Sequence, residues 1–244
     1  MKEEKQRAGE IVIQNPVLKW LDNFWYHYKW PTVIVAFFVL LGVICFSQCA
    51  SKEVGDVTIA YAGNYTMNEE ERNRILDVFQ AVAPEKELDG GRVPTKLLLT
   101  TFSVYTEDEL RPLYTDEKGN TDLYAFNSAK HLSNENLSTF GTYTMTGEAG
   151  VWLVSEFVFE QRNLGEVAVP LSELFEETPS GGYRDCAIRL GDTELYRYYD
   201  ALKVLPADTL IILPRSYVWG ESSNEAKYEE FKALYYALVN FKAP

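Results

Sequence analysis

From Pro31 to Ser51 the chain carries no charged side chain: PTVIVAFFVLLGVICFSQCAS is built from Val, Ile, Phe, Leu and small residues. The 19 residues Pro31–Cys49 span about 28 Å as a helix, close to the ~30 Å of a bilayer's hydrocarbon core. A soluble core helix rarely runs so long without a polar face, so residues 31–51 are expected to form one transmembrane helix. Pro31 suits the first turn, where its missing N–H costs nothing. A cleaved signal peptide fits less well, because about 30 residues precede the run and no small-x-small site follows it. Neither Cys45, after Ile44, nor Cys49, after Gln48, has the small preceding residue of a lipoprotein signal.

The flank before this run is aromatic. Trp20, Phe24, Trp25, Tyr28 and Trp30 crowd into eleven residues, as in the belt that sits at a membrane–water interface. Asn15-Pro16 reads as N-cap and first position of a short amphipathic helix, lying in the interface before the chain turns into the bilayer. Residues 1–30 are therefore expected to be a cytoplasmic tail plus interfacial helix. Lys19 and Lys29 precede the span and only Lys52 follows it closely, which favours the N-terminus inside and the remainder outside. That localisation is a single-pass one in the cell membrane.

Residues 52–244 are expected to be a single extracytoplasmic domain. The full chain has a net charge of −13; residues 1–50 carry +1, so the domain carries nearly all the negative charge. Such a surface repels phosphate backbones and anionic lipid, which argues against nucleic acid as a partner. Cys186 is the only cysteine after residue 50, so the domain stands on its hydrophobic core without an internal disulfide.

The pattern alternates strands and helices. Asp56–Ala62 reads as a strand, and Thr66-Met-Asn-Glu69 as a capping box opening a helix that ends near Val82, before Pro84. Lys96–Val104 is a nearly continuous apolar strand, as in sheets covered on both faces. Residues 106–122 read as a surface loop, 124–147 as a helix, Gly150–Ser155 as a buried strand and Glu156–Asn163 as a short helix. Val167–Phe175 is expected to be extended before a turn. Cys186–Leu190 and Thr209–Leu213 read as strands. A capping box at Ser222–Glu225 opens a last helix, with Tyr228, Phe231, Leu234, Tyr235, Leu238 and Phe241 on one stripe. This predicts an α/β fold: three layers, with a largely parallel sheet and helices on both faces.

Motifs for chemistry are sparse. His27 and His131 are the only histidines, and no P-loop, G-x-G-x-x-G or G-x-S-x-G pattern occurs. No metal-ligand spacing is found, and Asp116, Asn120 and Asp122 fail the calcium-loop pattern. No catalytic residue, cofactor or metal is therefore expected. Tyr196, Tyr198 and Tyr199 beside Arg197 form the one cluster with the character of a ligand or partner contact, through aromatic stacking.

The stretch Leu137–Phe175 (LSTFGTYTMTGEAGVWLVSEFVFEQRNLGEVAVPLSELF) resembles the first-lobe segment of type 2 periplasmic solute-binding proteins. There a helix ends in a Gly-acid turn, here Thr146-Gly147-Glu148. A buried strand follows, here Val151–Val154, then a short helix and a Gly-to-Leu motif, here Gly165 to Leu174. Asp56–Val82 is similar to that family's opening strand and helix. Such proteins usually carry two lobes, whereas this domain has the length of one lobe or a shortened pair. The chain is also similar to membrane-anchored proteins of clostridial-type bacteria, a likeness that implies no particular activity. The resemblance implies a non-enzymatic binding module whose partner is a small solute or an envelope protein such as a transporter. The alternative from residue supply alone is a cell-envelope hydrolase using paired carboxylates.

Overall fold

The computed structural model describes residues 16–50, 55–88, 91–177, 179–215 and 225–244. The N-cap read at Asn15 and the cap residues Ser222–Asn224 lie outside them. The chain divides into two compact units that meet between Val54 and Gly55.

The first unit contains one helix, α1 (Pro16–Ala50), 35 residues long. It does not break at Pro31, which lies in its interior. The expected turn between an interfacial helix and a span is therefore replaced by a continuous rod. Proline removes one intrahelical hydrogen bond, but strong helical context on either side holds the backbone in register. Phe24–Ser47 is long and apolar enough to cross a membrane, and none of it is buried against protein. A membrane span and a signal sequence share those properties. On its flank, Trp20 stacks on Phe24 at 5.6 Å and Phe24 on Tyr28 at 5.3 Å, an i, i+4 aromatic ladder. Trp25 and Trp30 are also exposed.

The second unit is a mixed α/β domain. Its strands are β1 (Val57–Gly63), β2 (Glu85–Leu88), β3 (Gly91–Pro94), β4 (Leu97–Ser103), β5 (Val151–Val154), β6 (Gly182–Tyr183), β7 (Ala187–Arg189) and β8 (Leu210–Ile212). The helices are α2 (Glu69–Val82), α3 (Glu107–Leu113), α4 (Leu123–Met145), α5 (Glu156–Gln161), α6 (Leu164–Val167), α7 (Leu171–Leu174), α8 (Glu194–Tyr198) and α9 (Glu225–Val239). The main sheet has the order β4-β1-β5-β8-β7-β6. β4, β1 and β5 pair in parallel, whereas β8 is antiparallel to both β5 and β7, and β6 to β7. Four of the six strands thus run one way, and the sheet is largely parallel.

The two faces of β1 explain its register. Val57, Ile59 and Tyr61 join Leu97, Leu99, Val151 and Leu153 beneath α2 and α9, through Ile75, Phe79, Phe231, Leu234 and Tyr235. Ala60 and Ala62 join Phe102, Trp152 and Val154 on the other face beneath α4 and α5, through Phe140, Val158 and Phe159. Side chains of period two feed two cores, so a one-residue slip would exchange them wholesale. Trp152 anchors the second core: it is 1% exposed, meets Phe140 edge-on, and its Nε1 donates to the Ala149 carbonyl at 3.1 Å.

Several local expectations are corrected. The capping box of α2 is Asn68–Glu71, not Thr66–Glu69: Glu71 N donates to Asn68 Oδ1 at 2.9 Å, and Asn68 N donates to Glu71 Oε2 at 3.0 Å. The surface loop read over 106–122, with one helical turn in it, holds the longer α3, capped reciprocally by Thr106 and Glu109. Val167–Phe175, expected to be extended, instead holds the end of the single-turn helix α6 and all of α7. The polar stretch after Pro84 forms the β2–β3 hairpin instead of a plain turn.

Candidate functional site

In an open α/β sheet, ligands gather outside the carboxyl ends of the parallel strands, where successive crossovers leave on opposite faces. That switch occurs here at β1. Its crossover to β4 runs through α2 on one face, and the crossover from β4 to β5 runs through α4 on the other.

The first residues beyond the strands make a polar rim. Thr66 Oγ1 lies 2.9 Å from both Ser103 Oγ and Tyr105 OH. Asn64 Nδ2 donates to Glu109 Oε1 at 2.5 Å, and Thr106 N donates to Glu109 Oε2 at 2.7 Å. From α4, Asn136 Nδ2 donates to the Ser103 carbonyl at 2.9 Å, and Ser133 Oγ both accepts from Tyr105 N and donates to its carbonyl. Beyond β5, Ser155 Oγ caps α5. Tyr61 points its hydroxyl along β1 over Gly63, and this buried hydroxyl meets no partner of hydrogen-bonding geometry. Burial pushes the phenol's pKa up strongly; the nearby Tyr65 backbone N–H opposes the shift, and the Tyr105 and Asp208 side chains reinforce it. The rim offers hydroxyls, phenols and amides around one carboxylate, a set suited to a neutral or cationic polar group.

Of the rim residues only Thr66 stands out in the sequence, and there as a helix cap. Ser103 and Tyr105 belong to no motif; the available signal is their position at the end of a strand in a β-α-β pattern.

The tyrosines that were singled out do not form one surface. Tyr196 turns inward and its hydroxyl donates to the Leu205 carbonyl at 3.0 Å. Tyr198 and Tyr199 meet edge-on at 4.8 Å, and both pack on Phe241. Arg197 instead lines a separate cleft of about 280 Å³ with Asp192, Glu194 and Lys242.

Two glutamates converge elsewhere. Tyr183 OH donates to Glu156 Oε1 at 2.6 Å and lies 3.1 Å from Glu160 Oε1, while Arg184 Nη1 pairs with Glu160 Oε2 at 2.9 Å. Burial, then these two carboxylates, push the Tyr183 phenol up to about 12. The two carboxylates thus share one phenol, and Arg184 neutralises one of them. Arg184 and Asp185, together with Asn163, hold positive φ angles of 47°, 55° and 48°. Ser172 pins Asp185 in that conformation, its Oγ donating to Asp185 Oδ2 at 2.8 Å. Cys186 lines an adjoining cleft of about 260 Å³, and burial raises its thiol pKa, so it is kept as an unreactive thiol.

His131 is exposed and its Nε2 lies 3.3 Å from Glu135 Oε1. Asp116 Oδ1 accepts from the Lys118 and Asn120 backbone N–H groups, so the calcium-like stretch is a hydrogen-bonded turn. Among the described residues, no group of three or more His, Cys, Asp and Glu side chains is placed to hold a metal ion. The chain matches no protein-family model, no curated protein and no solved structure.

Proposed function

We propose that this chain is a non-enzymatic binding module, held at a membrane by α1, with its N-terminus cytoplasmic and its acidic domain outside. Its ligand is a small polar solute or an exposed segment of an envelope protein, such as a transporter, received at the rim beyond β1, β4 and β5. The observation that carries this reading is the convergence of Asn64, Thr66, Ser103, Tyr105 and Glu109 at the sheet's switch point, where α/β folds gather ligands. The likeness of residues 137–175 to a solute-binding lobe points the same way. The lysines flanking the apolar run support the orientation, and the domain's negative charge argues against contact with anionic lipid.

The test is a thermal-shift screen of the full-length chain in detergent micelles against neutral and cationic solutes. A ligand present at about 100 times its Kd stabilises by roughly 2.7 kcal/mol. Thr66→Ala and Ser103→Ala should remove the shift. A stabilising solute indifferent to both variants would move the site off the rim, and no stabilisation across the panel would leave protein partnership as the surviving form of the proposal.

A further inference from the structure

The cleft beside Arg197 is a site apart from the rim, and we propose that it binds a zwitterionic small molecule of the α-amino-acid class. Four charged side chains line it: Asp192, Glu194, Arg197 and Lys242. Two of them are already spent on each other. Glu194 Oε2 lies 3.2 Å from Lys242 Nζ, and its Oε1 accepts the Ala243 backbone N–H at 3.0 Å. The other two are not. Among the described residues, neither the Asp192 carboxylate nor the Arg197 guanidinium forms a side-chain ion pair.

Arg197 is nevertheless held in place, and the backbone beside Asp192 leaves room for its side chain. Arg197 Nη2 donates to the Asp192 backbone carbonyl at 3.1 Å, which keeps the guanidinium at the cleft wall and leaves its other N–H groups unused. The Asp192 side chain folds over Gly181, its Oδ2 2.6 Å and its Cβ 2.5 Å from where a Cβ on Gly181 would stand. Gly181 has φ +84°, a conformation that glycine adopts without strain. The Asp192 seat thus requires glycine at 181 on two counts. An anion and a cation that form no ion pair therefore line one cleft. A ligand with an ammonium and a carboxylate a few bonds apart satisfies both, its carboxylate on the Arg197 fork and its ammonium on Asp192. The volume of about 280 Å³ is ample for a free amino acid, and Phe241 and Ile188 give its side chain an apolar wall.

The test is calorimetric titration of the full-length chain in detergent micelles with L-alanine, L-glutamine and L-leucine, alongside N-acetyl-L-alanine and L-alaninamide. At least one free amino acid should bind saturably, and blocking either terminus should weaken it by at least about tenfold. Asp192→Asn and Arg197→Gln should each weaken it by a similar factor, while Lys130→Ala, whose partner Glu107 also stands outside the cleft, should leave it unchanged. The blocked ligands probe the same charges without altering the protein, so a variant that fails to fold does not decide the matter. Absence of saturable binding by every free amino acid overturns the proposal, as does binding indifferent to both blocking groups and both variants. Thr66→Ala separates the two sites: loss of amino-acid binding in that variant alone would assign it to the rim and overturn this assignment.

Discussion

The hydroxyl of Tyr61 occupies the space that a side chain at Gly63 would need: a Cβ there would stand 2.8 Å from the phenolic oxygen and 3.0 Å from the ring carbon bearing it. Tyr61 is 1% exposed, so the ring has nowhere to go. Gly63→Ala should destabilise the domain by about 1–3 kcal/mol, the usual cost of overpacking a core. Tyr61→Phe removes a buried hydroxyl without a partner, so it should be neutral or stabilising by up to about 1 kcal/mol. It should also recover part of the Gly63→Ala loss. Urea denaturation of the four proteins of this double-mutant cycle checks the coupling, and additive costs would show that the two residues do not meet.

Among the described residues, Tyr183 is the one donor shared by Glu156 and Glu160. Tyr183→Phe should cost about 1 kcal/mol, since exposed Glu156 can recruit water in place of the lost hydrogen bond. The sign with pH follows from a phenol whose folded pKa lies above its unfolded value. The stabilisation is complete below the unfolded value near 10 and is lost as pH rises toward about 12. Ultraviolet titration should therefore show the step near pH 12 lose one phenol's amplitude in Tyr183→Phe, while Tyr61 and Tyr235, pushed up further by burial, ionise later still.

Asp56 joins the start of β1 to two neighbours. It accepts a side-chain hydrogen bond from Lys86 on β2, and its Oδ2 accepts from Lys96 N at 2.8 Å. Burial pushes its carboxyl pKa up, but the Lys86 ammonium and the Lys96 N–H outweigh this and hold it below the usual carboxylate value. A depressed folded pKa contributes stability above the unfolded value near 4, and that contribution is lost as pH falls through the folded one. Lys86→Ala should cost about 0.5–1 kcal/mol at neutral pH, and the difference from the parent should shrink below about pH 4. A gap that stayed constant down to pH 2 would show that packing of the lysine stem, not charge, provides it.

The strands and long helices of the domain were legible because burial writes itself as periodicity. Lys96–Val104 and Thr209–Leu213 read as strands and form β4 and β8, β8 buried throughout and β4, at the sheet edge, only in part, and the stripe of α9 appears as buried Phe231, Leu234, Tyr235 and Leu238. Elements that owe their shape to tertiary contacts were not legible. The single turns α6 and α7 follow a segment where Val169 N donates to the Leu213 carbonyl and Arg215 N to the Val167 carbonyl, long-range bonds with no local signature. The two candidate sites fared likewise. Tyr196 has the residue type of a stacking platform, but the Leu205 carbonyl draws it inward. The unpaired state of Asp192 and Arg197 depends on Lys242 having taken Glu194, a choice made 48 residues away.

The last prediction concerns α1, whose apolar side chains face no protein. Phe38 is 65% exposed and its ring meets that of its neighbour Phe37 on the same helix, so Phe38→Arg disturbs no core packing. Were this helix to live in water, the substitution would be silent or improve solubility. In a bilayer, an arginine near the middle of a span costs about 2.5–3.5 kcal/mol on the insertion scale. Phe38→Arg should therefore shift a sizeable fraction of the protein from the alkaline-resistant membrane pellet to the supernatant, whereas Phe38→Leu should not. The same extraction distinguishes a span from a signal sequence: intact-mass measurement of the pelleted protein should find residues 16–50 retained. A pelleted species beginning after residue 50 would assign membrane attachment to some other part of the molecule.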